Sequence, residues 1–162
     1  MSMKNMLTGL LVLLFLPAVF AQKDYRKEAD AVFNQERYFE AIELYKKAYT
    51  REKEDKAGII FQIAECYRNS DNHKQAEVWY SKAIKGSYDD PMVYYYLGEA
   101  QKLSGKYEEA QESFDKYIER MPKDPKGKKA LKSCELSQKW IENPTRFEIN
   151  NAPLINSEQN DF

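Results

Sequence analysis

Tyr38-Phe-Glu-Ala41-Ile-Glu-Leu-Tyr45-Lys-Lys-Ala48, His73-Lys-Gln-Ala76-Glu-Val-Trp79-Tyr80-Ser-Lys-Ala83 and Tyr107-Glu-Glu-Ala110-Gln-Glu-Ser-Phe114-Asp-Lys-Tyr117 align when the chain is cut at spacings of 35 and 34 residues. Each stretch sets an aromatic or imidazole ring three residues before an alanine and an aromatic ring four after it. A small residue or Tyr follows at seven. Three, four and seven are the spacings of one helix face. A period near 34 residues marks stacked helix–turn–helix units, in which no hairpin buries its apolar face alone. Arrays of this kind offer a long surface to other chains, so the period points to recognition rather than catalysis.

Outward from those alanines, the units run 22–55, 57–90 and 91–124. Their inner turns read Gln35-Glu-Arg37, Ser70-Asp-Asn72 and Ser104-Gly-Lys106, and only the last two carry strong breakers. Asp90-Pro91 and Asp124-Pro125, again 34 apart, each place an acidic cap before a proline in a first helical turn. In the second unit Ile60, Ile63, Ala64 and Tyr67 share one face, and Ala76, Trp79, Tyr80, Ala83 and Ile84 the next. Residues 125–142 read as a capping helix with Ala130, Leu131, Cys134, Leu136 and Ile141 inward and a lysine-rich outer side. A solenoid end needs such a half-polar lid. Asn143-Pro144 then stops the helix, and 143–162 is an irregular, Asn-rich tail.

Upstream, Lys4, the apolar run Leu7–Phe20 and the small residues Val19 and Ala21 form a secretory signal peptide over 1–21. The rival reading is a membrane anchor. Spanning a bilayer takes roughly 20 apolar residues, and this run is shorter, with Thr8, Gly9 and Pro17 in it. Beyond Ala21 the charge is nearly balanced, 24 Lys and Arg (the total of 25 less Lys4) against 26 Asp and Glu. A dedicated nucleic-acid binder would be strongly basic. Cys66 and Cys134 stand two periods apart, in the slot that Ala31 and Ala100 also fill. Helix layers stack about 8–10 Å apart and a disulfide needs Cα atoms within about 7 Å, so both read as small packing residues.

No catalytic constellation is present. The one histidine, His73, occupies the slot of Tyr38 and Tyr107, which packing explains. Cys/His metal spacing, a Gly-rich phosphate loop and an activated serine are all missing from the sequence. The chain therefore calls for no cofactor, no metal and no small-molecule substrate. What remains is a surface. In a stacked-hairpin array the first helix of each unit faces the inner groove, so the register nominates Arg26, Asp30, Phe33 and Asn34, then Phe61, Glu65, Arg68 and Asn69, then Tyr95, Glu99, Lys102 and Leu103. Tyr and Arg are favoured interface anchors. Phe33, Phe61 and Tyr95 are the expected ring anchors, with Arg26 and Arg68 orienting the partner. Phe61→Ala with Arg68→Glu is accordingly expected to abolish binding without unfolding the domain.

The units resemble the tetratricopeptide repeat over about Gln22 to Asp124. The third is the cleanest, with Tyr94, Leu97, Gly98, Gly105, Tyr107, Ala110, Phe114 and Pro122 at hallmark positions. The first departs, carrying Glu28 and Ala29 where Leu and Gly are usual. The resemblance implies an all-α, right-handed solenoid of three repeats plus the capping helix, and a protein-binding role. One subfamily clamps C-terminal carboxylates with Lys, Asn and Arg. Asp30, Glu65, Glu99 and Met92 stand among those inner positions here, which argues against that ligand. A narrower resemblance is carried by Ile63-Ala-Glu-Cys66-Tyr-Arg, Ala76-Glu-Val-Trp79-Tyr80, Ser133-Cys134-Glu, Leu154-Ile-Asn156-Ser157 and Asp161-Phe162. These are similar to the N-terminal part of multidomain bacterial envelope proteins with a propeller-like and an OmpA-like domain, some serving type IX secretion and gliding. This chain stops at Phe162, where the propeller-like domain would begin. The expectation is a scaffold module in the periplasm or at the periplasmic face of the outer membrane. Its partner is another envelope protein or a peptide segment, in association with an outer-membrane complex. The alternative is the truncated N-terminal piece of such an OmpA-like protein, with a purely structural role.

Overall fold

The computed structural model describes residues 23–144, so the leader reading and the tail past Pro144 lie outside the described residues. Seven α-helices form there: α1 Tyr25–Phe33, α2 Tyr38–Arg51, α3 Lys56–Asn69, α4 His73–Lys85, α5 Met92–Leu103, α6 Tyr107–Arg120 and α7 Pro125–Glu142. Each packs on the helix before and the helix after it, and α5 also touches α7. Among the described residues no strand occurs, and no helix is long and apolar enough to cross a membrane. The architecture is the all-α solenoid that the period predicts.

Five of the seven helices start on a short acidic or amide cap, whereas α2 and α6 have no side-chain cap. Asp24 accepts from the Lys27 amide, Asp55 from Gly58, Asn72 from Gln75 and Asp124 from Lys126. Asp90 accepts from the Met92 amide at 2.9 Å, so it caps α5 across Pro91. The ends of α1, α3 and α5 share one closure. Glu36, Asp71 and Gly105, the middle residues of the three inner turns, all adopt positive φ (61°, 56° and 78°). The next amide reaches back five residues each time, Arg37 to Val32, Asn72 to Tyr67 and Lys106 to Gln101. That is the Schellman closure, which satisfies carbonyls the helix leaves open. Ser87, at φ 63°, repeats it after α4, with Tyr88 donating to Ala83. Glu36 shows that even the turn without a strong breaker takes this form.

The small slot of each second helix, Ala41, Ala76 and Ala110, is fully buried, and so are the rings that follow it, Tyr45, Tyr80 and Phe114. At the facing position of the first helices stand Ala29, Ala64 and Gly98, all buried. Gly98 is required there, because a Cβ would come within 2.6 Å of the Phe114 ring. Cys66 and Cys134 are buried and free, as the packing reading holds. Their slot mate Ala31 is exposed instead. The capping helix departs from its expected pattern in its second half. Ala130 and Cys134 are buried, but Leu136 and Ile141 are exposed, with Trp140 between them 67% exposed. α7 stays against α6 as far as Gln138, which bonds Gln111 and Glu108; Trp140 and Ile141 at its end are exposed.

Candidate functional site

Three first helices, α1, α3 and α5, carry eleven of the twelve nominated groove residues, and the twelfth, Asn34, caps the end of α1. Arg26, Asp30, Phe33 and Asn34 come together. With Tyr45 of α2 and Gln62 of α3 they line an open hollow of about 390 Å³. Phe33 is half-buried and meets Tyr38 edge to face, with centroids 5.4 Å apart. The Tyr45 hydroxyl donates to Asp30 at 2.6 Å. Arg26 turns aside to Asp55 at 2.7 Å. No described residue bonds the side-chain amides of Asn34 and Gln62. They are ready donors and acceptors in the wall of the hollow.

In the second unit the same geometry recurs. The Tyr80 hydroxyl donates to Glu65, fifteen residues before it, as Tyr45 does to Asp30. Arg68 holds the same carboxylate with two N–H groups, at 2.6 and 3.1 Å, and its guanidinium lies 4.6 Å over the Tyr96 ring. Burial, then the neighbouring Glu65, pushes the Tyr80 phenol far above its ordinary range. Burial and the Asp30 bond do the same to Tyr45. The Glu65 bond holds the Arg68 guanidinium firmly charged. Asn69 spends its amide on the Glu65 carbonyl at 2.8 Å. The third unit breaks the pattern, because Phe114 has no hydroxyl to offer Glu99. Glu99 pairs with Lys102 at 3.7 Å, and Lys102 also donates to Ser133 of α7.

Two nominated rings do not face the groove. Phe61 is only 8% exposed, since Tyr88 stacks on it at 4.4 Å while Tyr80 and Tyr96 flank it. Tyr95 is drawn toward α6, 5.9 Å from Phe114 and 5.4 Å from Tyr117. The anchoring role expected of Phe61 is therefore corrected. Its ring is core, and Phe61→Ala is a packing mutation rather than a binding mutation. Leu103 is 58% exposed but borders a different hollow, beside the α3–α4 turn at Ser70–Lys74. Gln62, Tyr45 and Tyr96 are the groove residues that sequence reasoning missed. The fifteen-residue spacing of acid and tyrosine was a signal available for the second of them.

Every groove cation has a carboxylate among the described residues: Arg26 with Asp55, Arg68 with Glu65, Lys102 with Glu99. None is left over to clamp a partner's carboxylate. Nor do the described residues gather three His, Cys, Asp or Glu side chains able to hold a metal ion.

Comparison with known proteins agrees with this fold. Residues 57–85 and 91–124 each match a tetratricopeptide-repeat family model. No curated protein matches the chain. Among solved structures, the Sgt2 tetratricopeptide domain from Aspergillus fumigatus has 20% identity and a TM-score of 0.64 over 79% of this chain and 87% of its own. The second such domain of human RPAP3, in complex with an HSP70 peptide SGPTIEEVD, has 20% identity and a TM-score of 0.63 over 68% and 92%. The Yersinia enterocolitica type III secretion chaperone SycD, in complex with a peptide of the translocator YopD, has 14% identity and a TM-score of 0.62 over 70% and 92%.

Proposed function

We propose, from the two segments that match tetratricopeptide-repeat models, that the chain is a non-catalytic interaction module that holds an extended segment of another protein along α1 and α3. The observation that carries this reading is the hollow lined by Arg26, Asp30, Phe33, Asn34, Tyr45 and Gln62. An extended chain exposes an N–H and a C=O at every residue. The primary amides of Asn34 and Gln62 both donate and accept, so they can hold such a backbone whatever its side chains. Phe33 supplies an apolar edge. Asp30 and Arg26, tied to Tyr45 and Asp55, set the shape of the wall. The peptide-bound RPAP3 and SycD structures support the reading by analogy of fold.

The finer placement rests on sequence. The leader-like run after Lys4 supports export, and the envelope-protein resemblance supports a partner in the periplasm or at the outer membrane. A second reading, that the module positions a neighbouring domain, is favoured by exposed Leu136, Trp140 and Ile141 at the end of α7.

The test is capture from detergent-solubilised envelopes by the full chain, by Asn34→Ala/Gln62→Ala and by Trp140→Glu/Ile141→Glu. One protein held by the wild type and lost by the first variant supports the groove. Loss with the second variant alone supports the structural reading. Equal capture by all three contradicts both.

A further inference from the structure

The outer face, built by the second helix of each hairpin, carries a second hollow that shares no residue with the groove. It holds about 400 Å³ and is lined by Tyr49 of α2, Ile60 of α3, and Trp79, Lys82 and Lys85 of α4. Tyr49 is 37% exposed, Trp79 half-buried, and buried Ile60 forms the floor. The rim is cationic. Lys82 Nζ stands 4.1 Å from the Trp79 ring centroid, and Lys56 Nζ 4.9 Å from that of Tyr49.

None of Lys56, Lys82 and Lys85 forms an ion pair with a carboxylate among the described residues, and all three are exposed. Two of the three acids of the neighbouring α2–α3 connection are engaged elsewhere, and the third, Glu54, is exposed and reaches none of these lysines. Glu52 accepts from the Lys53 and Glu54 amides, and Asp55 holds Arg26 and the Gly58 amide. Aromatic walls under unpaired ammonium groups match a ligand with an apolar centre and an anionic periphery, which strengthens attraction and steering together.

We propose that this face docks an acidic peptide segment of a partner protein, with one aromatic or branched side chain inserted between Tyr49 and Trp79 and flanking carboxylates on Lys56, Lys82 and Lys85. The hollow accepts a protruding side chain, whereas a flat anionic bilayer would meet only its rim. The site is independent of the groove, so the module can hold two segments at once.

The probe is a capped peptide, acetyl-Glu-Asp-Phe-Asp-Glu-amide, titrated into the full chain carrying Trp140→Phe, so that Trp79 alone reports. The expected result is a saturable change in Trp79 emission, weakened about tenfold or more by Lys82→Glu/Lys85→Glu and unaltered by Asn34→Ala/Gln62→Ala. Both lysines are exposed, so helical circular dichroism should be unchanged. Lys82→Gln/Lys85→Gln gives the same comparison without charge reversal. The proposal is overturned by no saturable change, by equal affinity in the lysine variants, or by an equal response to a peptide with Ala for Phe. A response to phosphatidylserine vesicles without one to the peptide overturns it as well.

Discussion

Tyr80→Phe removes one oxygen from the centre of the solenoid and tests whether the groove wall is held by its phenol–carboxylate pairs. Tyr80 is fully buried and its hydroxyl donates to Glu65, which two N–H groups of Arg68 also hold. A hydrogen bond to a charged group is worth about 1.5–3 kcal/mol. Arg68 remains on the carboxylate after the change, so the loss falls at the low end, about 1.5 kcal/mol. In a domain of this size that lowers Tm by roughly 5–8 °C. Thermal and urea unfolding followed by circular dichroism measure it, and a cycle with Glu65→Gln isolates the pair, with an expected coupling of about 1 kcal/mol. The mirror substitution, Phe114→Tyr, should give Glu99 the hydroxyl it lacks and leave stability equal or higher. The reasoning fails if Tyr80→Phe stays within about 0.3 kcal/mol of wild type, well below any net hydrogen bond. It fails equally if the substitution costs the same in the Glu65→Gln background.

Gly98→Ala should cost about 1–3 kcal/mol by overpacking against Phe114, and Phe114→Leu in the same chain should recover much of it; urea midpoints decide. Phe61→Ala should lose about 3–5 kcal/mol because its ring is packed among Tyr80, Tyr88 and Tyr96, so near-wild-type stability would return Phe61 to the groove. Alkali should unfold the domain. Burial and the Asp124 bond push Tyr117 up to about 12, burial pushes the Cys66 thiol to about 12, and Tyr45 and Tyr80 are raised further. All four shed protons first in the unfolded chain. Their stabilisation is thus intact below their unfolded values of about 8.5–10 and is lost as pH rises through the folded ones. Phenolate absorbance of these tyrosines should rise together with helix loss. Ionisation of Tyr45, Tyr80 or Tyr117 in a fully helical protein, beyond that of the nine other tyrosines, would contradict their burial.

The packing plan was legible because the same few slots recur. Ala41, Ala76 and Ala110 had to be small, Tyr45, Tyr80 and Phe114 had to fill the space beside them, and all six are buried. The groove was legible only in part. The register named Arg26, Asp30, Phe33 and Asn34 correctly as neighbours, yet it placed Phe61 in the open. The residue that covers Phe61 is Tyr88, which lies in a connection outside the hairpin register, and its position depends on the closure at Ser87. The apolar second half of α7 read as inward because helical spacing shows which residues share a face and not whether anything packs on it. Leu136 and Ile141 are exposed for want of a facing helix among the described residues. The lysine–aromatic hollow on the outer face escaped notice for another reason. Tyr49, Ile60 and Trp79 come from three helices, and no single period links them.

The most direct test of the groove is site-specific photo-crosslinking in intact envelopes, with the photoreactive residue placed at Gln62 or, as its counterpart, at Glu112 on the exposed side of α6. The account predicts one discrete crosslinked protein from position 62, reduced by Asn34→Ala, and none in common from position 112. The same adduct from both positions, or one from 112 alone, would contradict it.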